Sequence, residues 1–173
     1  MNKTMYYQEV TLPKLALTLR IGATAEALLY ISRVNPEEMA HYFPDYQFLS
    51  EAASESAAVL LAEARQQLLD YDAGIRQQFQ LPLHFIGTDF QQQVWQLLLQ
   101  QPYGQLTTYS ALAQQLGRPT AVRAVANAVG RNPLMIVVPC HRVVGKNGEL
   151  TGYRGGIENK RSLLIREGLS EYR

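Results

Sequence analysis

The chain has 173 residues, a formal net charge of +1, 47% hydrophobic residues and 18% charged residues, which is a composition typical of globular proteins. No apolar run approaches the roughly 20 residues needed to cross a bilayer, so a membrane-spanning protein is excluded. The N-terminus lacks the apolar segment of a signal peptide, and we expect a cytoplasmic location, on the nucleoid in a bacterium.

Cysteine and histidine are scarce. The single cysteine, Cys140, excludes an internal disulfide and a cysteine-based zinc site. The three histidines are far apart in the sequence and form no ligand motif. We therefore expect neither a metal nor a cofactor.

The charges are distributed unevenly. Residues 1–86 contain 6 Lys/Arg and 10 Asp/Glu, a net charge of −4, whereas residues 87–173 contain 10 and 5, a net charge of +5. A basic half indicates an anionic partner if a nucleic-acid-binding element lies in it, and otherwise a solvated surface.

The N-terminal part predicts strands followed by a helix. Residues 5–33 predict short strands, and the prolines of residues 36–46 predict irregular structure, with a loop at "HYFPDY". Residues 51–70 are good helix formers and predict a helix, and residues 71–88 predict a connection. Apolar residues recur at every second position of the first strand segment and form one face, which comprises Leu15, Leu17, Leu19 and Ile21.

Residues 89–101 predict an amphipathic helix with an N-cap at Thr88 or Asp89, ended by "PYG". Trp95 lies beside its apolar stripe, which is typical of a core anchor.

Residues 107–130, "TTYSALAQQLGRPTAVRAVANAVG", have the pattern of a helix-turn-helix. The first helix is predicted from Tyr109 to Leu116 and ends at Gly117, and Pro119 opens the second. Small residues around one arginine on the second helix favour close approach to a minor groove. An ordinary amphipathic helix pair fits the pattern equally well. The valines Val122, Val125 and Val129 form the inward face, opposite Arg123, Ala124 and Asn127.

The segment "IVVPCHRVVG", residues 136–145, contains Cys140 followed by His141. A thiolate with a nearby imidazole is a nucleophile and its base, although a lone cysteine is more often a buried, inert residue. Adjacent residues face different directions in helices and strands, so a relay requires a turn, a bridging water, or both. The segment predicts a strand that breaks at Pro139. Carboxylates available to orient the imidazole are Asp89, Glu149, Glu158, Glu167 and Glu171.

Four segments together resemble the O6-alkylguanine-DNA alkyltransferase family, also called methylated-DNA–protein-cysteine methyltransferase. They are "FQQQVWQLL", "PYGQLTTYSALA", "RPTAVRAVANAVGRNP" and "IVVPCHRVVGKNGELTGYRGGIENKRSLLIREG", within residues 84–168, and "PCHRVVG" is the most specific. With the predicted elements, the resemblance implies an α+β fold. Residues 1–83 are expected to form an N-terminal lobe with a small antiparallel sheet and a helix. Residues 84–173 are expected to form a mostly helical lobe with the helix-turn-helix and the active-site cysteine.

The resemblance implies repair of DNA in a single turnover. An alkylated guanine would be flipped out of double-stranded DNA, and its O6-alkyl group, or the O4-alkyl group of thymine, would move irreversibly to Cys140. The expected enzyme is a monomer, with copies able to cluster on DNA, and it has no membrane partner.

The resemblance also implies roles for individual residues. Cys140 would be the acceptor, His141 a base acting through water, and Glu167 the group that orients His141. Asn132 would hold the turn near the cysteine, and Tyr109 would protonate or hydrogen-bond the leaving guanine. Arg123 would replace the flipped nucleotide, and Ala121, Ala124 and Asn127 would face the minor groove. The pocket wall would comprise Tyr153, Arg154, Gly155 and Gly156, with Lys160 nearby.

Two positions bear on lesion preference. Some family members carry serine where this chain has Arg154, so the contact of that hydroxyl to the base would be lost. Met135 would narrow the pocket for bulky alkyl groups.

Three other functions are compatible with parts of the pattern. Alkyltransferase-like proteins bind the lesion but lack the cysteine that this chain has. A transcriptional regulator would need a ligand or dimerisation module, which the sequence does not indicate. A cysteine hydrolase would need an oxyanion hole and would have no use for the basic helix pair.

Overall fold

The structure, a computed structural model, describes residues 3–50 and 53–170. The chain forms two compact units, Met1–Phe85 and Ile86–Arg173. The sequence prediction put this division after residue 83. Among the described residues, no helix is both long enough and apolar enough to cross a bilayer.

The first unit is a four-stranded sheet with two helices. The strand order is β3-β2-β1-β4, with β1–β2 and β2–β3 antiparallel and β1–β4 parallel, so the sheet is mixed rather than purely antiparallel. The elements are β1 (Lys3–Leu12), β2 (Leu17–Ala23), β3 (Leu28–Arg33), α1 (Pro36–Tyr42), β4 (Tyr46–Leu49) and α2 (Glu55–Asp72).

The core of this unit lies between α2 and the sheet. The alternating residues Leu17, Leu19 and Ile21 of β2 are buried, as the sequence predicts. The helix buries residues at helical spacing and packs against β1 and β2. Its last residue, Asp72, accepts the backbone N–H groups of Lys14 and Leu15 at 3.0 and 2.8 Å, which fastens the helix end to the turn between β1 and β2.

Three predictions for this unit are corrected. Pro36 opens α1, because a first-turn proline loses no helical hydrogen bond, and the Asn35 side chain accepts the N–H of Glu38. The predicted loop "HYFPDY" is therefore partly helix, and β4 begins at its last residue, Tyr46. The helix predicted from residue 51 begins at Glu55 because Ser54 caps it, and residues 51 and 52 lie outside the described part of the chain.

The second unit is mostly helical. A capping box between Thr88 and Gln91 starts its first helix. The elements are α3 (Asp89–Leu98), β5 (Thr107–Thr108), α4 (Tyr109–Gln115), α5 (Val122–Gly130), a 3₁₀ turn (Cys140–Arg142), β6 (Val143–Val144) and α6 (Ile157–Arg166). The predicted α+β fold is confirmed by the elements of the two units.

The helix pair α4–α5 forms where the sequence predicts it, with one difference. Gly117 follows α4 with φ +71°, a conformation that favours glycine. Pro119 does not open α5, because Ala121 donates its N–H to Arg118 in a separate turn and the helix begins at Val122.

The strand predicted before Pro139 is absent. Ile136 has φ +72°. The N–H of Val137 donates to the carbonyl of Met135, and the N–H of Val138 donates to the carbonyl of Leu134. This compact turn leads into the 3₁₀ turn. The parallel pairs Thr107–Val143 and Thr108–Val144 then bring the start of α4 beside the residues that follow the cysteine.

Candidate active site

Cys140 is the first residue of the 3₁₀ turn and is 8% exposed. Burial raises the pKa of its thiol, while a hydrogen bond from Asn132 and the positive charges of Arg154 and Lys160 act in the opposite direction. The thiol is therefore mostly protonated at neutral pH, and a nucleophilic role requires a group that removes the proton.

Asn132 connects the segments around the thiol. Its Oδ1 accepts the N–H of Leu134 at 2.9 Å, and its Nδ2 donates to the carbonyl of Val138 at 2.8 Å and to Sγ of Cys140 at 3.1 Å. The Asn132 side chain is buried. It thus fixes the compact turn and the position of the sulfur together.

His141 and Glu167 are in contact although 26 positions separate them. Nε2 of His141 lies 2.7 Å from Oε1 of Glu167, and both side chains are fully buried. Burial opposes ionisation of Glu167, but hydrogen bonds from His141 and Arg142 outweigh it and hold the pKa of this carboxyl well below its usual range. Because Glu167 is ionised, the proton in this contact belongs to Nε2, which donates it to Oε1.

The other imidazole nitrogen is the candidate base. Burial lowers the pKa of His141 despite the hydrogen bond that it donates to Glu167, so the imidazole is neutral at pH 7. With its proton on Nε2, the neutral ring keeps a lone pair at Nδ1. Nδ1 is buried and has no hydrogen-bond partner among the described residues. It is an unused acceptor on the residue that directly follows the cysteine.

A pocket opens at the thiol. Tyr109 stands on one side, with its hydroxyl donating to the carbonyl of Thr151 at 3.2 Å, and burial raises the pKa of this phenol. The buried ammonium of Lys160 donates to the carbonyls of Val143 and Thr151, and burial lowers its pKa to about 8. The wall comprises Tyr109, Val129, Gly130, Asn132, Met135, Cys140, Gly152, Tyr153, Arg154, Gly155 and Lys160.

The glycines of the predicted wall differ in position. At Gly155 an added Cβ would clash with the terminal methyl group of Met135 and lie 2.7 Å from the Tyr153 ring. Only glycine therefore fits at this position. Gly156 is outside the wall. With φ +95° it turns the chain into α6, and its N–H closes a turn to the carbonyl of Tyr153. Arg154 lies in the wall and donates to the backbone carbonyl of Asn132.

The residues predicted to face DNA lie along α5. Arg123, Ala124 and Asn127 are exposed, and Ala121 is the N-cap. The helix buries Val125 and Val129 on the other side, and Val129 also lines the pocket. Trp95 of α3 donates its indole N–H to the carbonyl of Ala128 at 2.9 Å, which agrees with the anchor predicted for it.

Arg142 was not among the site residues predicted from the sequence. Its guanidinium is buried and makes two hydrogen bonds shorter than 3.0 Å to the Glu167 carboxylate. The only signal was its place directly after Cys140 and His141, and its partner lies 25 positions further along the chain. Among residues 3–50 and 53–170, no three His, Cys, Asp or Glu side chains are grouped so that they could hold a metal ion.

Comparison with known proteins gives one consistent answer. Residues 89–169 match the family model described as "6-O-methylguanine DNA methyltransferase, DNA binding domain". A methylated-DNA–protein-cysteine methyltransferase from Mycobacterium bovis is 40% identical over 161 residues, which cover 92% of this chain and 90% of the relative. An inducible enzyme of the same name from Bacillus subtilis is 52% identical over 98 residues, which cover 57% of this chain and 55% of that relative.

Solved structures agree with these sequences. The structure of Mycobacterium tuberculosis O6-methylguanine methyltransferase has a TM-score of 0.78 and 36% identity, covering 94% of this chain and 92% of that one. Mycobacterium tuberculosis OGT in complex with DNA also has a TM-score of 0.78, with 35% identity and coverage of 95% and 92%. The predicted family and enzyme class are thereby confirmed, and the chain belongs to the methylated-DNA–protein-cysteine methyltransferase family.

Proposed function

We propose that this chain repairs double-stranded DNA by transferring the alkyl group of O6-alkylguanine irreversibly to Sγ of its own Cys140. The observation that carries the proposal is a buried thiol at the end of a pocket, held by Asn132 and followed in sequence by a neutral histidine with a free acceptor. Relatives named for transfer to a protein cysteine support the same chemistry.

The transfer is a displacement at carbon. The thiol of Cys140 loses its proton, Sγ forms a bond to the alkyl carbon, and the bond between that carbon and O6 breaks. The electron pair of the broken bond stays on the guanine, which takes up a proton as it leaves. Tyr109, at the pocket wall, is the donor or hydrogen-bonding group for this step. The products are guanine in DNA and a thioether on Cys140.

His141 removes the thiol proton through a water molecule. A buried imidazole nitrogen without a protein partner needs a hydrogen-bond partner, and water is the group that fits beside a polar site. Glu167 holds Nε2 and stabilises the imidazolium that forms. This relay satisfies the requirement for an intermediary between two adjacent side chains.

The reaction occurs once per molecule. A thioether sulfur is a poor leaving group, and the proposed relay contains no group that would cleave its bond to carbon. The protein is therefore consumed with its substrate, and O4-alkylthymine is a second substrate with the same chemistry.

The lesion reaches Cys140 by base flipping. The O6-alkyl group of a stacked guanine cannot reach a thiol that is 8% exposed, so the nucleotide must leave the helix. The α4–α5 pair lies in the basic half of the chain and contacts the minor groove through Ala121, Ala124 and Asn127, while Arg123 takes the place of the flipped base. The protein acts as a cytoplasmic monomer, and copies can cluster on DNA.

Intact-mass spectrometry tests the proposal. The protein is mixed with a duplex that contains one O6-methylguanine, and we expect one added methyl group, located on Cys140 by peptide mapping. Cys140→Ala and Cys140→Ser should bind the same duplex without a mass change. Binding of the lesion by the wild type without any mass change would refute transfer and indicate a lesion-binding protein instead.

A further inference from the structure

Arg142 is a buried cation without a place in the relay described so far. It is 5% exposed, although arginine is rarely buried unless it is paired. Nε and Nη2 donate to the two carboxylate oxygens of Glu167 at 2.8 and 2.9 Å, and Nη1 donates to the carbonyl of Gln101 at 2.6 Å. The guanidinium carbon also lies 5.6 Å from the centre of the Tyr103 ring. Each of the three guanidinium nitrogens thus donates a hydrogen bond.

These contacts determine how the Glu167 carboxylate is oriented. Oε1 accepts from Nε2 of His141 and from Nη2 of Arg142, while Oε2 accepts from Nε of Arg142 and from the backbone N–H of Gly104 at 3.1 Å. A planar fork that binds both oxygens prevents rotation of the carboxylate. Oε1 consequently stays in hydrogen-bond contact with the imidazole of His141, and the imidazole proton stays on Nε2.

The charge of Arg142 has a second effect. A carboxylate alone beside a buried histidine favours the imidazolium, which carries protons on both nitrogens and cannot act as a base. The guanidinium partly compensates the carboxylate and repels a second positive charge. The charged neighbours of His141 are Glu167, Arg142 and Lys160, with Cys140 adjacent in sequence, and of these Glu167 favours the charged imidazole while Arg142 and Lys160 oppose it.

We propose that Arg142 is a positioning residue of the transfer reaction, which orients Glu167 and compensates its charge so that His141 keeps an unprotonated Nδ1. This inference rests on the function proposed above. Arg142 acts through Glu167 and His141.

The test compares two substitutions at Arg142 with a matched control. Arg142→Gln removes the charge, and Arg142→Lys keeps the charge but loses the fork. Arg161→Gln, the control, removes a partly exposed arginine that pairs with Glu158 on α6. The rate of methyl transfer from an O6-methylguanine duplex is measured from pH 5.5 to 9, in parallel with the ¹⁵N NMR titration of the histidine side chains. The chain has three histidines, so a His141 variant assigns the signal.

For Arg142→Gln we expect the acid midpoint of the rate profile and the NMR midpoint of His141 to rise together by about one pH unit or more. The rate at pH 7 should fall several-fold, because part of the imidazole is then protonated and the Glu167 carboxylate is no longer held in place. The part of the loss that is due to protonation should recover at pH 9. Arg142→Lys should keep its midpoint closer to that of the wild type but transfer more slowly at every pH. Arg161→Gln should match the wild type in both measurements.

A loss of rate in Arg142→Gln that is equal at all pH values, with an unchanged NMR midpoint, would overturn the inference and assign Arg142 a structural role only. If Arg142→Gln does not fold, the inference is decided by Arg142→Lys, for which a wild-type rate would overturn it. Failure of the proposed function would look different, because the wild type would then transfer no methyl group at any pH. The NMR midpoints would still decide whether Arg142 keeps His141 neutral.

Discussion

Replacement of Asn132 by alanine should destabilise the second unit by about 1.5–4.5 kcal/mol. The substitution leaves the N–H of Leu134 without its acceptor, and an orphaned buried donor costs about 1–3 kcal/mol. The carbonyl of Val138 loses one of two donors but keeps the N–H of Cys140, which adds only about 0.5–1.5 kcal/mol. The thiol also loses its donor, so its pKa should rise further.

The assay is urea denaturation followed by fluorescence. Trp95 is the single tryptophan, it is buried in the second unit, and its indole is hydrogen-bonded, so its emission reports on this unit. Asn147→Ala makes the same chemical change at an exposed position and should shift the free energy of unfolding by less than about 0.5 kcal/mol. The reasoning is refuted if Asn132→Ala differs from that control by less than about 1 kcal/mol, or if its thiol reacts with iodoacetamide as fast as that of the wild type.

Four further outcomes are expected. Trp95→Phe should cost about 0.5–1.5 kcal/mol because the carbonyl of Ala128 loses the indole donor but keeps the N–H of Arg131, and thermal unfolding measures this loss. The pKa of Glu167 is lower in the folded than in the unfolded chain, so its contribution is complete above about pH 5 and is lost as the pH falls further. Urea titrations should therefore give Glu167→Gln a flatter acid dependence than the wild type, and parallel curves would contradict the shift. Met135→Ala should raise the rate with O6-benzylguanine relative to O6-methylguanine, and an unchanged ratio would mean that Met135 does not limit alkyl size. Arg123→Ala should slow repair of duplex DNA more than reaction with the free base, whereas equal losses would assign Arg123 to chemistry or folding.

Local rules predicted α3 and α4 of the second unit and the presence of α5, whereas the start of α5 and the whole of α6 were not predicted. Thr88 with Gln91 and Gly117 after α4 act through contacts within a few residues, and such contacts can be inferred from sequence alone. The strand expected before Pro139 was wrong because side-chain hydrogen bonds outweigh strand propensity. Apolar β-branched residues favour a strand, but Asn132 binds Leu134 and Val138 and stabilises a compact turn, with Ile136 at positive φ. The hydrogen bonds of one buried side chain here override the propensity of the residues around it.

The candidate site was predictable in its residues but not in its geometry. The "PCHR" motif and the resemblance supplied Cys140, His141 and Glu167, and the contact between the last two is present. Arg142 was not predicted, because a basic residue in a sequence carries no information on whether it is buried or which carboxylate it meets. The 3₁₀ turn, which directs His141 and Arg142 toward the same distant glutamate, is the feature that the sequence pattern did not reveal.

The two ends of α5 differ in how firmly they are held. Near its C-terminal end, Ala128 accepts the Trp95 indole N–H, whereas the N-cap residue Ala121 has no side-chain oxygen to bind the first amide groups. The free energy of local opening should therefore increase along the helix, and amide hydrogen exchange should slow in the same direction. The end with Ala121 and Arg123 can adjust its backbone at little cost, while the end at Val129 keeps the pocket wall in place beside Cys140. One short helix thus combines a less constrained N-terminal surface with a fixed reference point for the sulfur of Cys140.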